Sequence, residues 1–217
     1  MEHVWRRYRV GDTEVVALHD ASVCIESGEL VAVVGPSGSG KSTFLQLIGL
    51  LDTPSQGTVR FDGEDVGSLA DSERTRVRLH SLGFVFQRFH LLNQLTAVEN
   101  VMLPLEAAGV GVAERYARAS SLLDSVGLGD RLLFRPAQLS GGQRQRVAVA
   151  RAVANGPGVV LADEPTGELH TDDKERVLEL FRALNAQGRT VVIVTHDPDV
   201  AAVARRRIEI RDGRLRA

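Results

Sequence analysis

The apolar positions of this chain fall into two patterns. Leu30 to Val34, Val159 to Ala162 and Thr190 to Val194 are runs of β-type residues with no polar alternation, as expected of strands covered on both faces. Ala21 to Glu26 alternates instead, and Ser27-Gly28-Glu29 after it reads as a tight turn into the Leu30 strand. Gly57 to Phe61, Gly83 to Phe86 and Arg207 to Ile210 predict further strands, the last closed by the turn pair Asp212-Gly213. Helical spacing marks Ser42 to Leu50, the series Tyr116, Ala119, Leu123 and Val126, and the face Val177, Phe181 and Leu184. From about residue 88 to 156 the chain reads mainly helical, after which the strand pattern resumes. The pattern predicts an α/β core of mainly parallel strands (1–87 and 157–217), an antiparallel β layer near the N-terminus and an inserted helical lobe (88–156).

Composition narrows the function classes. With 43% hydrophobic and 25% charged residues in 217, the chain can bury a sizeable core. No segment approaches the roughly 18 uninterrupted apolar residues of a membrane span. The start, Met1 to Arg7, has no apolar run before a small-residue cleavage site, so a cytoplasmic location is expected. A formal charge of −2 gives no electrostatic case for nucleic acid as a main partner. The single cysteine, Cys24, excludes an internal disulfide and falls where the alternation predicts a buried strand position. Arg205-Arg206-Arg207 reads as a solvated helix end. Lys41 and Lys174 are the only lysines, which makes Lys41 more informative than a lysine usually is.

Candidate chemistry lies at the ends of the buried strands. Gly35-Pro36-Ser37-Gly38-Ser39-Gly40-Lys41-Ser42 fits G-x-x-x-x-G-K-[ST], with an apolar strand before it and a helix after it. Glycines let successive backbone N–H groups converge on phosphate oxygens, and the helix adds its positive dipole end. In that role Lys41 reaches the β- and γ-phosphates and the Ser42 hydroxyl serves Mg²⁺. Asp163 and Glu164 end another apolar strand, where open α/β sheets place their ligands. Asp163 suits Mg²⁺, held directly or through water, and Glu164 suits polarising a water for in-line attack on a γ-phosphate. A second anion site is predicted at Leu139-Ser140-Gly141-Gly142-Gln143: Ser140 caps a helix whose first N–H groups two glycines leave bare. Two phosphate cradles in one chain imply two nucleotides or two half-sites that meet.

The order of glycine loop, glutamine, Leu-Ser-Gly-Gly-Gln, Asp-Glu and histidine resembles an ATP-binding cassette (ABC) transporter ATPase over essentially the whole chain. Tyr8-Arg9-Val10-Gly11, the loop through Ser42-Thr43 and Phe84 to Leu92 resemble the subgroup of lipoprotein release, macrolide and peptide export and cell division. The resemblance implies a RecA-like P-loop NTPase core and ATP with Mg²⁺ as ligands. It implies adenine stacking on Tyr8, contact of Gln87 with Mg²⁺ and the attacking water, and a γ-phosphate contact from His196. It further implies that Ser140, Gly141, Gly142 and Gln143 close over ATP held by a second copy, beneath a separately encoded membrane permease. One departure is Glu168 and His170, where relatives of this subgroup typically carry asparagine and aspartate; with His170 there, slower, pH-sensitive or less coordinated hydrolysis is expected. Other readings are a cell-division or signalling ATPase that transports nothing, a soluble DNA or ribosome cassette, and a P-loop kinase. The second lacks the coiled coil or paired cassettes it needs, and the third leaves the Leu-Ser-Gly-Gly-Gln segment unexplained.

Overall fold

The computed structural model of the chain describes residues 1–216. β1 (Glu2–Val10) and β2 (Thr13–Ala21) form an antiparallel hairpin around Gly11-Asp12. β3 (Leu30–Val34) leads through the glycine loop into α1 (Lys41–Ile48). Short strands β4 (Gln56–Thr58), β5 (Arg60–Phe61) and β6 (Glu64–Asp65) precede α2 (Asp71–Ser81) and β7 (Leu82–Phe86). Helices α3 (Ala97–Ala107), α4 (Val112–Ser125) and α5 (Gly141–Ala152) follow before the chain re-enters the sheet at β8 (Val159–Asp163). The remaining elements are α6 (Thr171–Ala186), β9 (Thr190–Thr195), α7 (Pro198–Ala201), β10 (Arg206–Arg211) and β11 (Arg214–Arg216).

Among the described residues the main sheet has the order β11-β10-β3-β9-β8-β7, parallel except for β11. Parallel neighbours need long crossovers, and here helices supply them. In β9, Val192 and Val194 pack in one core cluster and Val191 and Ile193 in another, on the opposite side of the sheet. This accounts for the uninterrupted apolar run: both faces of the strand are dry. Phe44 and Leu47 of α1 and Leu18 of β2 fill the first cluster, and Val177, Phe181 and Leu184 of α6 fill the second, as their spacing predicts. A third cluster joins α3, α4 and α5 through Val98, Val101, Leu105, Leu123 and Val147.

Register places the chemistry. Val34 pairs with Thr195, Asp163 with Val194 and Phe86 with Asp163. The residues that follow these strand ends, Gly35, His196, Glu164 and Gln87, therefore emerge side by side along one edge of the sheet.

Four expectations need correction. Residues 22–26 make no strand ladder, although Val23 and Ile25 do turn towards the core. Cys24 points the other way and is exposed, because the alternation that buries its neighbours excludes it. Arg205-Arg206-Arg207 is not a helix end: Arg206 opens β10, where Glu29 at 3.1 Å and the Cys24 carbonyl at 2.8 Å engage its guanidinium. Tyr116 is 46% exposed on α4, although Ala119 and Leu123 of the same series are buried. The apolar stripe of α4 begins one turn later than spacing alone suggested.

Candidate active site

The glycine loop joins a buried strand to a helix, as the sequence predicts. Gly40 stands at the N-cap of α1 with no side chain to cap it, which leaves the helix's first N–H groups without a side-chain acceptor. Gly40 sits at φ +107°, and a Cβ there would lie 2.5 Å from the Ala17 carbonyl oxygen, so only glycine lets the loop press against β2. Lys41 is buried, and its Nζ donates to the carbonyl oxygens of Gly35 (2.7 Å) and Pro36 (2.9 Å). The ammonium is thus folded over the loop. Pro36, Ser37, Gly38, Gly40, Lys41, Ser42, Thr43, Gln87, Asp163, Glu164 and His196 line one cavity of about 960 Å³. Ser39 lies within the loop with its hydroxyl buried and unpartnered.

Glu164 stands at the tip of β8 with φ +44°, its N–H donating to the Val194 carbonyl at 2.9 Å. For a non-glycine residue that backbone is costly, and it turns Glu164 away from the direction of Asp163. His196 Nδ1 lies 2.7 Å from Glu164 Oε1, and the Thr195 hydroxyl donates to Oε2 at 3.2 Å. Both carboxylate oxygens are engaged, so the group is held in one orientation. Asp163 is raised from the ordinary carboxylate range, first by burial and then by the charge of Glu164, against the opposing pull of Lys41. Gln87 is flanked by Gly167, where a Cβ would come within 3.0 Å of its amide nitrogen.

The Asp163 shift yields a test. A carboxyl raised in the folded state binds its proton more tightly there than in the unfolded chain. Its stabilising contribution is full at low pH and is lost as pH rises through the folded-state pKa. Asp163→Asn is therefore expected to raise the nucleotide-free melting temperature at neutral pH while reducing ATP turnover. A lowered midpoint would contradict the burial argument.

Ser140 caps α5 as expected: its Oγ accepts from the Gln143 N–H at 3.2 Å, and Gln143 Oε1 accepts from the Ser140 N–H at 2.9 Å. Ser140, Gly141, Gly142 and Gln143 are not part of the cavity lining, so the second cradle is not brought to the first within this chain. Tyr8 is also outside that lining. Arg6 lies 4.5 Å from its ring centroid and its hydroxyl donates to Asp52 at 2.8 Å, while its ladder partner Val15 does line the cavity.

Residues that sequence reasoning missed complete the frame. His19, Asp212 and Gly213 line the cavity, and backbone bonds from His19 N–H to the Gly213 carbonyl (2.8 Å) and from Gly213 N–H to the Ser39 carbonyl (2.9 Å) seat the glycine loop. Gln145 is fully buried and its amide donates to the Pro165 carbonyl at 2.6 Å, tying α5 to the residue after Glu164. Its signal was a polar residue four positions before Val149 on the inward face of the helix. Arg151 donates to the Phe89 carbonyl at 2.8 Å and to that of His90, so α5 also grips the segment after Gln87.

A buried strand running into a glycine loop and an uncapped helix, with Asp163 and Glu164 beside it, defines a P-loop nucleoside triphosphatase. The ABC transporter family profile matches residues 18–167, and the chain belongs to that family as an ATP-binding cassette ATPase. It is 49% identical to the ABC transporter ATP-binding protein YknY of Bacillus subtilis, covering 99% of this chain and 94% of that one. A Thermotoga maritima ABC transporter ATP-binding protein is 51% identical, covering 98% and 91%. The macrolide export ATP-binding/permease protein MacB of Burkholderia thailandensis is 52% identical over 99% of this chain but only 33% of its own length. Among solved structures, the dimeric ATP-binding cassette MJ0796 in a post-hydrolysis state with ADP and Pi superposes with a TM-score of 0.92 at 43% identity, covering 100% of this chain and 95% of that one.

Proposed function

We propose that this chain hydrolyses ATP at a site completed by a second copy, and that the cycle drives a separately encoded membrane permease. The observation that carries the proposal is the separation of the two cradles: the glycine loop shares a cavity with Glu164 and His196, whereas the capped N-terminus of α5 faces elsewhere. A partner's Ser140 to Gln143 segment would supply the missing donors on the far side of the γ-phosphate. The dimer of MJ0796 supports the pairing.

In this reading the triphosphate lies on the N–H groups of the loop and α1, and Lys41 leaves its carbonyls for the β- and γ-phosphates. A water attacks the γ-phosphorus in line, its proton passes to Glu164, and ADP leaves. Thr195 and His196 Nδ1 keep Glu164 aimed, while His196 Nε2 serves a γ-phosphate oxygen. Ser42, Asp163 and Gln87 share the cavity and form the few-ligand oxygen set that Mg²⁺ accepts alongside phosphates. Mg²⁺ bound there would neutralise charge on the β- and γ-oxygens. Adenine would lie along the β1–β2 ribbon, with Tyr8 as its stacking partner.

Among the described residues no helix is long and apolar enough to cross a membrane. The ATP-binding protein YknY, which this chain covers over 94% of its length, supports placing the permease on another chain, with this one peripheral to it. Because two chains are needed for one complete site, specific ATPase activity should rise with protein concentration over the range in which light scattering detects dimer. Concentration-independent turnover by a monomer would overturn the proposal.

A further inference from the structure

Lys174, the second of two lysines, closes the first turn of α6 beside the turn that carries His196. Its Nζ donates to Asp197 Oδ2 at 2.6 Å and to Asp199 Oδ2 at 3.4 Å, and only 19% of its side chain is exposed. Asp197 also receives structure from its own side: its N–H donates to Thr195 Oγ1 at 3.0 Å, and that hydroxyl donates to Glu164 Oε2. An unbroken chain of contacts thus runs from α6 through Asp197 and Thr195 to Glu164, next to the bond from His196. Lys174, Glu164, His196, Asp197 and Asp199 share a second cavity of about 330 Å³ with the loop that follows Glu164.

We propose that Lys174 is a positioning residue for hydrolysis: its ammonium fastens the start of α6, and with it residues 166–170, to the His196 turn, so that the loop and the Glu164–His196 pair move as one body. The ammonium's donors engage both carboxylates, and Asp199 stands at the surface, so a guanidinium that keeps the charge can be accommodated there. The hydrogen bond lowers Asp197 from its ordinary range and raises Lys174, so the pair stays ionised through neutral pH. Residues 168 and 169 also lie against Gly141 of the α5 cradle. Displacement of this loop by an approaching copy would therefore reach Glu164 through Lys174, not only through the backbone.

The inference rests on Glu164 and His196 acting in hydrolysis, and the experiment separates the two. Steady-state ATPase assays on the full chain compare Lys174→Met, Lys174→Gln, Lys174→Arg and His196→Ala, each with its melting temperature. Lys174→Met is expected to lower kcat about fivefold with KM for ATP within about twofold, since the glycine loop is untouched. Lys174→Arg, which keeps the charge, should recover at least about half of the lost rate. Lys174→Gln should behave like Lys174→Met and covers the case in which methionine reduces the folded fraction. Wild-type kcat in both neutral variants, or equal losses in the arginine and neutral variants, would overturn the role of Lys174. Wild-type turnover in His196→Ala would instead overturn the underlying site assignment.

Discussion

Replacement of Glu164 by glutamine is expected to lower ATP turnover by about 100-fold or more while ATP binding survives. Glutamine keeps the volume, the backbone at φ +44° and one oxygen for the Thr195 hydroxyl, so the pocket keeps its shape. Lost is the carboxylate proposed to take a proton from the attacking water. If hydrolysis reopens the site, as the proposed cycle requires, the variant should accumulate as an ATP-bound dimer, seen by light scattering with ATP and lost without it. Turnover close to wild type would remove Glu164 from the mechanism.

A second large effect is expected at Gly141, where the monomer gives no reason for a glycine. A Cβ there would meet nothing closer than Leu169 Cδ2 at 3.6 Å, so this chain has room for a side chain. Aspartate at the first position of α5 would even favour the helix, because it places negative charge on the positive end of the dipole. Gly141→Asp should therefore leave the melting temperature unchanged or slightly raised. ATP turnover should nevertheless fall by about 100-fold, since the new carboxylate would face the γ-phosphate held by the other copy. Normal turnover in this variant would show that α5 does not close over nucleotide. Gly142 does not allow the same separation, because a Cβ there would fall 2.0 Å from the Asp173 carboxyl carbon.

Much of the site was legible because its parts are local. Ser140 and Gln143 cap one helix within four residues, and the glycine loop is defined by its own strand and helix. Long-range partners left weaker traces. Gln145 carries no charge and reaches Pro165 across twenty residues, and Lys174 finds Asp197 only because α6 packs beside β9. Cys24 was misplaced because alternation reports that two faces differ without naming the face a given residue occupies. The β1–β2 hairpin was missed in part because its outward positions are charged and its strands bulge between Val4 and Arg7.

By itself the sequence determined which segments form a glycine loop and a capped helix start and which strands lie in the interior, since glycine spacing, capping residues and apolar runs act over a few residues and need no partner to be read. Tertiary structure decided which of those segments share a cavity. The parallel register set Gly35, Gln87, Glu164 and His196 along one edge, and the packing of α5 turned Ser140 to Gln143 away from it. That division has a physical reason: a helix N-terminus attracts phosphate wherever it lies, but the face it presents is set by side chains far away in the chain.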